Sequence, residues 1–339
     1  MNQKPDLPLS SPRTLLAIIA AMLGSLLLYA LLFACVLHKP LSVGTIRDYF
    51  QIKLQRAAAI DGPKLVFFGG SNVRFGLRCE LAEQLSGVPC VNAGFIADVG
   101  IDLMVAKFEP LLHAGDVVYV PPAYEQYLWS REFVATQRDA AYLFSYDRAT
   151  LPKMSWYRQL HALFYFNLPY VVSSSAEMAL AAVGLKRKAG ASREFGAQNL
   201  NAWGDETGHS AAQAQGYAAL LALKPRIPDA AHFDPQRHYF TQQLELFLDW
   251  ARAHGVTVVG GLPQMSEEIQ IPPGVIDKVR AIYLDHGQHF VDLPSHSQYP
   301  HDCFFDSLYH LNEECQLQHT RLLMPLLQPY LPALKPAAG

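Results

Sequence analysis

Ser71 stands in Phe68-Gly69-Gly70-Ser71-Asn72-Val73-Arg74-Phe75-Gly76, and Asp306 and His310 stand in Asp306-Ser307-Leu308-Tyr309-His310-Leu311-Asn312, near the other end of the chain. A serine hydroxyl is a weak nucleophile until a base takes its proton, and an imidazole serves best when a carboxylate orients it. These three residue types suffice for acyl transfer through a serine ester. Each segment alone also admits a plainer reading. The first is also the sequence of an ordinary strand-to-helix turn, or of a phosphate-binding one. The second also suits an Asp–His hydrogen bond that closes a loop. There is no Gly-Lys-Ser/Thr of a P-loop, and the glycine spacing is not a dinucleotide fingerprint.

The elements that must position these residues are legible as apolar runs. Lys64–Gly69 reads as a buried strand, Arg78–Leu85 as a helix, Val88–Asn92 as a strand, Asp102–His113 as a helix and Asp116–Val120 as a strand closed by Pro121-Pro122. After a stretch at about 123–235 without strand rhythm, Tyr239–His254 carries Phe240, Leu244, Phe247, Leu248 and Ala251 on one helical face. Val256–Gly261 and His289–Leu293 read as strands, and Pro273–His286 and Asn312–Leu327 as helices. Strands alternating with helices predict an α/β fold: three α/β/α layers around a mostly parallel, flavodoxin-like sheet of about five strands. Such sheets bind ligands at the carboxyl ends of their strands, where Ser71 falls. The 123–235 segment is expected to be a helical insertion over that edge.

Thr14–Leu37 holds no charged residue and is long enough to cross a hydrocarbon core of about 30 Å. It lacks a persuasive cleavage site after Val36-Leu37-His38-Lys39. We read residues 1–13 as a cytoplasmic tail, 14–37 as a signal-anchor helix and 38–60 as a connector, within which 43–58 is a short helix or part of the connector. Residues 61–330 form the outer domain and 331–339 a flexible tail. Lys4 and Arg13 before the span are balanced by Lys39 and Arg47 after it, so orientation rests on the short N-terminal tail. Leu32-Phe33-Ala34-Cys35 is a faint alternative, a lipoprotein box. Net charge is −3, with 17% charged and 50% hydrophobic residues and no extended basic stripe. That composition argues for a packed core and against a nucleic-acid partner. Of five cysteines, Cys35 lies in the span. Cys79 with Cys90, and Cys303 with Cys315, are near enough in sequence to pair in an oxidising compartment, and buried free thiols are the alternative. Their spacing suggests no zinc site.

Together the Ser71 and Asp306/His310 segments resemble the SGNH/GDSL hydrolase family. Within it they are similar to the membrane-anchored envelope branch of polysaccharide O-acetylation and D-alanyl-transfer proteins. The resemblance covers roughly residues 64–127 and 255–327, in the family's order. It implies Ser71 as nucleophile, in Gly-Gly-Ser where the family usually has Gly-Asp-Ser, with His310 as base and Asp306 as orienting acid. It also implies that Val91-Asn92-Ala93-Gly94 is the second block, so that the Gly94 amide joins that of Ser71 in an oxyanion hole. Two departures stand out. Val120-Pro121-Pro122-Ala123-Tyr124-Glu125 lacks the third-block Asn, leaving Tyr124 as a substitute donor or the hole with two. Asp306 precedes His310 by four positions where the family usually shows three, so Asp302 is a reserve acid.

Asn72, Arg74 and Asn92 are candidate substrate contacts, with a structural ion pair the preferred reading for Arg74. Asp205, Glu206 and His209 have metal-ligand types, but a solvated loop over the site is the preferred reading. Trp156–Tyr170 is rich enough in aromatics for a membrane surface or a glycan platform, and core packing is the plainer reading. The expected function is esterase or O-acyltransferase chemistry on an envelope carbohydrate ester in the periplasm, without a cofactor or metal. The expected partners are an acylated carbohydrate or acyl donor and a multi-pass membrane acyltransferase. The alternatives are a catalytically silent domain of this kind that binds polysaccharide or scaffolds a complex, and a phosphate-binding α/β domain.

Overall fold

Leu65–Gly69, Cys90–Gly94 and Val117–Val120 are short, almost wholly buried runs, and residues of that kind form strands covered on both faces. In the computed structural model, which describes residues 11–32, 43–96, 99–165, 168–185 and 196–332, they are β1, β2 and β3. Thr257–Gly260 is β4, Met265–Ser266 β5, His289–Phe290 β6 and Gln298–Tyr299 β7. The main sheet is parallel throughout, in the order β2-β1-β3-β4-β6, and β5 pairs with β7 in a separate two-stranded ribbon. That is the flavodoxin-like order, whose switch point lies between β1 and β3. Of the expected strand at 289–293 only His289–Phe290 pairs. Val291 adds one bond to Gly260, and the chain then leaves the sheet ahead of Pro294, which has no amide to donate.

The helices of the described residues run α1 (Pro12–Leu32), α2 (Gly44–Ala58), α3 (Ser71–Gly76), α4 (Cys79–Ser86), α5 (Ile101–Phe108), α6 (Arg131–Ala135), α7 (Asp139–Tyr146), α8 (Trp156–Phe164) and α9 (Leu168–Ala182). They continue with α10 (Ala211–Ala214), α11 (Ala218–Leu221), α12 (Tyr239–Ala253), α13 (Val275–Asp285) and α14 (Glu313–Leu327). Successive strand residues point to opposite faces. Val66, Phe68, Val118, Val120 and Val258 therefore pack with Phe50, Phe108, Leu244, Phe247 and Val279 from α2, α5, α12 and α13. Leu65, Phe67, Val117, Tyr119 and Val259 pack on the other side with Val73, Ala82, Leu323 and Leu327 from α3, α4 and α14. Two helical layers around one sheet result.

α1 has a mean hydropathy of 2.6 and no buried share, so it is long and apolar enough to cross a membrane. The expected span runs on to Leu37; residues 33–37, Cys35 among them, lie outside the described residues, as does the tail from 333. Both cysteine pairs are bridged. Cys79–Cys90 ties the start of α4 to the start of β2, and Cys303–Cys315 ties a loop to the first turn of α14.

Within 123–235 no described residue joins a named strand. Its first half is pinned by Arg158 on α8, which is fully buried. The Arg158 guanidinium donates to Asp102 of α5, to Asp139 of α7 and to the Val134 carbonyl, using all five of its N–H groups. Arg158→Met should lower unfolding free energy by about 3–5 kcal/mol, because two buried carboxylates lose their counter-charge. A chemical-denaturation midpoint unchanged from wild type would contradict this.

Candidate functional site

Ser71, the expected nucleophile, is placed by the β1-to-α3 turn. Gly70 has extended backbone and its carbonyl accepts from the Val73 and Arg74 amides, so Ser71 opens α3 at the carboxyl edge of the sheet. The Ser71 amide has no acceptor among the described residues. A Cβ at Gly70 would sit 3.1 Å from Gln126 Nε2, so glycine is what lets that carboxamide approach the turn.

His310 and Asp306 come from one tight loop. Phe304 and Leu311 form an isolated antiparallel bridge, the Phe305 amide donates to the His310 carbonyl, and the His310 amide donates to the Ser307 carbonyl. The base of this loop is fixed by Cys303–Cys315 and by Asn312, whose side chain caps α14 by accepting from the Cys315 amide. The loop bends so that four-position spacing still brings acid and base together: His310 Nδ1 is 2.6 Å from Asp306 Oδ1. His310 Nε2 is 2.8 Å from Ser71 Oγ. Burial works against the Asp306 carboxylate, but the His310 hydrogen bond and charge and the Arg74 charge outweigh it and hold its pKa below the ordinary value. The imidazole lies on Phe75, centroids 4.6 Å apart and planes 19° apart, so an aromatic face would support the charge if the ring were protonated. Asp302 is exposed in a neighbouring turn, where its carbonyl accepts from Asn312. It is not brought to His310.

The expected oxyanion donors need correction. The Gly94 amide donates to its own strand's Asn92 Oδ1 at 2.9 Å and is therefore occupied. A Cβ at Gly94 would meet the Arg74 backbone nitrogen at 2.3 Å, so this glycine serves the packing of β2 under α3. Tyr124 turns inward to the core, is 1% exposed, and does not line the cleft beside Ser71. The residue missed in the sequence is Gln126. Its Oε1 accepts from the Ala123 amide at 2.8 Å, which leaves Nε2 beside Gly70 in the cleft lining, with no acceptor among the described residues. The absence of Asn from the 120–125 stretch was the available signal, and it pointed one residue short.

The other polar candidates hold the scaffold. Arg74 is buried between Tyr49 and Phe75, with its guanidinium carbon 4.9 and 4.4 Å from their rings. Its Nε lies 2.8 Å from Glu206 Oε2, an ion-pair distance without hydrogen-bond alignment. Asn92 is fully buried and donates to the Leu77 carbonyl and Asp205. Asn72 lines the cleft, but its amide donates to the Pro121 carbonyl at 2.7 Å, lashing α3 to the end of β3.

Asp205, Glu206 and His209 are fully buried, which corrects the solvated-loop expectation. Asp205 accepts from the Cys79 and Glu80 amides at the start of α4, and His209 stands edge-on to Phe75 and Phe305. No group of three or more His, Cys, Asp or Glu among the described residues has the geometry to hold a metal ion.

Burial lowers the His209 pKa to about 4, with Arg78 and Arg74 adding to it against Glu313, and burial lowers that of His319 to about 3. Both rings fold neutral, whereas the unfolded chain takes up protons near pH 6.5. The unfolded state thus binds more protons below that pH, and stability falls as pH drops. The slope is about 1.4 kcal/mol per pH unit per ring, ending near pH 4 for His209 and near pH 3 for His319. Urea midpoints at pH 7 and pH 5 should differ accordingly, and His209→Phe should remove about half the difference. Equal midpoints would contradict the assignment.

Ser71, Asn72, Ala123, Glu125, Gln126, Trp129, Ser307, Tyr309 and His310 line a cleft of about 210 Å³. A larger groove of about 550 Å³, lined by Glu109, Arg131, Lys153 and Tyr239, contains none of the three chemical residues. Only the smaller one brings Ser71, His310 and Gln126 together in a single lining. Neither a protein-family model nor a curated protein matches this chain.

Proposed function

We propose that the domain is a serine esterase or O-acyltransferase of SGNH type, held on the outer side of a bacterial inner membrane by α1. Its substrate would be a short acyl ester of a cell-envelope carbohydrate. The observation that carries the reading is the chain of contacts Asp306–His310–Ser71, at 2.6 and 2.8 Å, at the switch point of a parallel sheet. His310 Nε2 takes the Ser71 proton as Oγ attacks the ester carbonyl. The Ser71 amide and Gln126 Nε2 then face the oxygen that gains charge. Collapse expels the carbohydrate alkoxide, which takes the proton from His310 and leaves an acyl ester on Ser71. Water or a second sugar hydroxyl, deprotonated by the same imidazole, completes the cycle.

A cleft of about 210 Å³ suits a small acyl group better than a lipid chain. Two disulfides fit an oxidising compartment, and a multi-pass membrane acyltransferase would be a suitable source of acyl groups. The test uses the full chain in detergent with a chromogenic acetyl ester, with and without a carbohydrate acceptor. Wild type should turn the ester over, Ser71→Ala should not, and the acceptor should gain the acyl group if transfer is the reaction. A folded wild-type chain inert in both assays would favour a carbohydrate-binding or scaffold domain.

A further inference from the structure

α8 and α9 present more apolar surface than a water-facing helix pair should. On α8, Trp156 is 70% exposed and Phe164 67%, with Leu160 and Leu163 nearly half exposed between them, while Arg158 and Ala162 face inward. Positions i, i+4, i+7 and i+8 form one face of a helix. α9 carries a single charged residue, Glu177, and turns Val172 outward at 61% exposure. Isolated apolar residues on a surface need no explanation, but an apolar face repeated on two consecutive helices marks an interaction site.

The position of this patch identifies what covers it. Tyr165 and Tyr170, at the facing ends of α8 and α9, have ring centroids 5.2 Å apart. Tyr170 is near Tyr146, and Arg47 lies over the Tyr146 ring at 5.1 Å. Arg47 is in the first turn of α2, just after the chain comes from α1. Tyr29, close to the end of α1, packs against the same core as Tyr165 and Tyr170. The start of α2, which the chain enters from α1, and the α8–α9 junction therefore lie close together. Residues 33–42 cannot reach more than about 36 Å even when fully extended.

We propose that the outer faces of α8 and α9 insert into the headgroup–acyl boundary of the bilayer that α1 crosses. The domain would then have a second, peripheral membrane contact. The inference is independent of the serine chemistry but rests on α1 being a span. Among the described residues of α8 and α9, the outward face offers Trp, Phe and Leu and no Lys or Arg, so apolar burial drives the insertion. Tethering by α1 keeps the face at high local concentration beside the bilayer, so shallow insertion is enough. Two contacts, unlike one, fix the tilt of the domain over the membrane.

The test is a depth measurement on the full chain, with Cys35→Ser to remove a competing thiol. Leu160→Cys and Phe164→Cys are each labelled with an environment-sensitive fluorophore and reconstituted into phosphatidylcholine vesicles, and Leu284→Cys on α13 is the control. Both α8 labels should be quenched by brominated acyl chains and spared by aqueous iodide, while the α13 label shows the reverse. Wild-type denaturation midpoints for the labelled chains confirm folding. Iodide quenching on α8 without bromolipid quenching would overturn the proposal. So would protection from both quenchers that grows with protein density, which would indicate a second copy of the chain. A chain that fails to float with the vesicles would remove the span on which the proposal rests.

Discussion

His310→Ala should reduce ester turnover by at least about 10⁴-fold, and Asp306→Asn by about 10⁴-fold, without unfolding the chain. The two losses have different causes. Without His310, Ser71 Oγ loses the base that lies 2.8 Å away, the one hydrogen-bond partner it has among the described residues. With Asn at 306 the ring keeps a neighbour, but that neighbour stabilises the wrong tautomer and cannot support the imidazolium. Asp302→Asn should leave turnover unchanged, because Asp302 is exposed in a separate turn. Steady-state turnover of the acetyl ester by the three variants checks this. A large loss at Asp302, or a small one at Asp306, would reverse the assignment of the acid.

Gln126 carries the second large effect. Gln126→Ala should lower kcat by about 10²–10³, or about 2.7–4 kcal/mol of transition-state stabilisation, with little change in KM. Gln126→Glu is the sharper variant. It keeps an oxygen to accept from the Ala123 amide, as Oε1 does at 2.8 Å, and replaces the N–H beside Gly70 with a second oxygen whose negative charge opposes the developing oxyanion. Both variants should fall together. A Gln126→Glu chain with near wild-type kcat would show that the carboxamide only shapes the loop.

The sheet was legible because β1, β3 and β4 are unbroken apolar runs whose burial on both faces leaves little alternative. Ser71 was legible because Gly69-Gly70-Ser71 follows β1 directly. His310 was legible because an Asp–His pair precedes the last helix. What failed was the assignment of partners, which depends on contacts distant in sequence. Gly94 lies where an oxyanion donor was expected, yet its amide is satisfied two residues away by Asn92, and Asn92 is held by Asp205, 113 positions on. Asp205, Glu206 and His209 form a polar run that reads as solvated. They are buried because the α4 amides, Arg74 and two phenylalanine rings await them there. Gln126 was hidden because Pro121-Pro122 gives no regular period from which to count, and only the bond to Ala123 shows which way its amide points.

Labelling the full-length chain with a fluorophosphonate, followed by intact-mass and peptide analysis, tests most directly whether Ser71 is an activated nucleophile. A single adduct is expected, mapped to Ser71 and absent from His310→Ala. A folded chain that takes no adduct, or takes it at another residue, would contradict it.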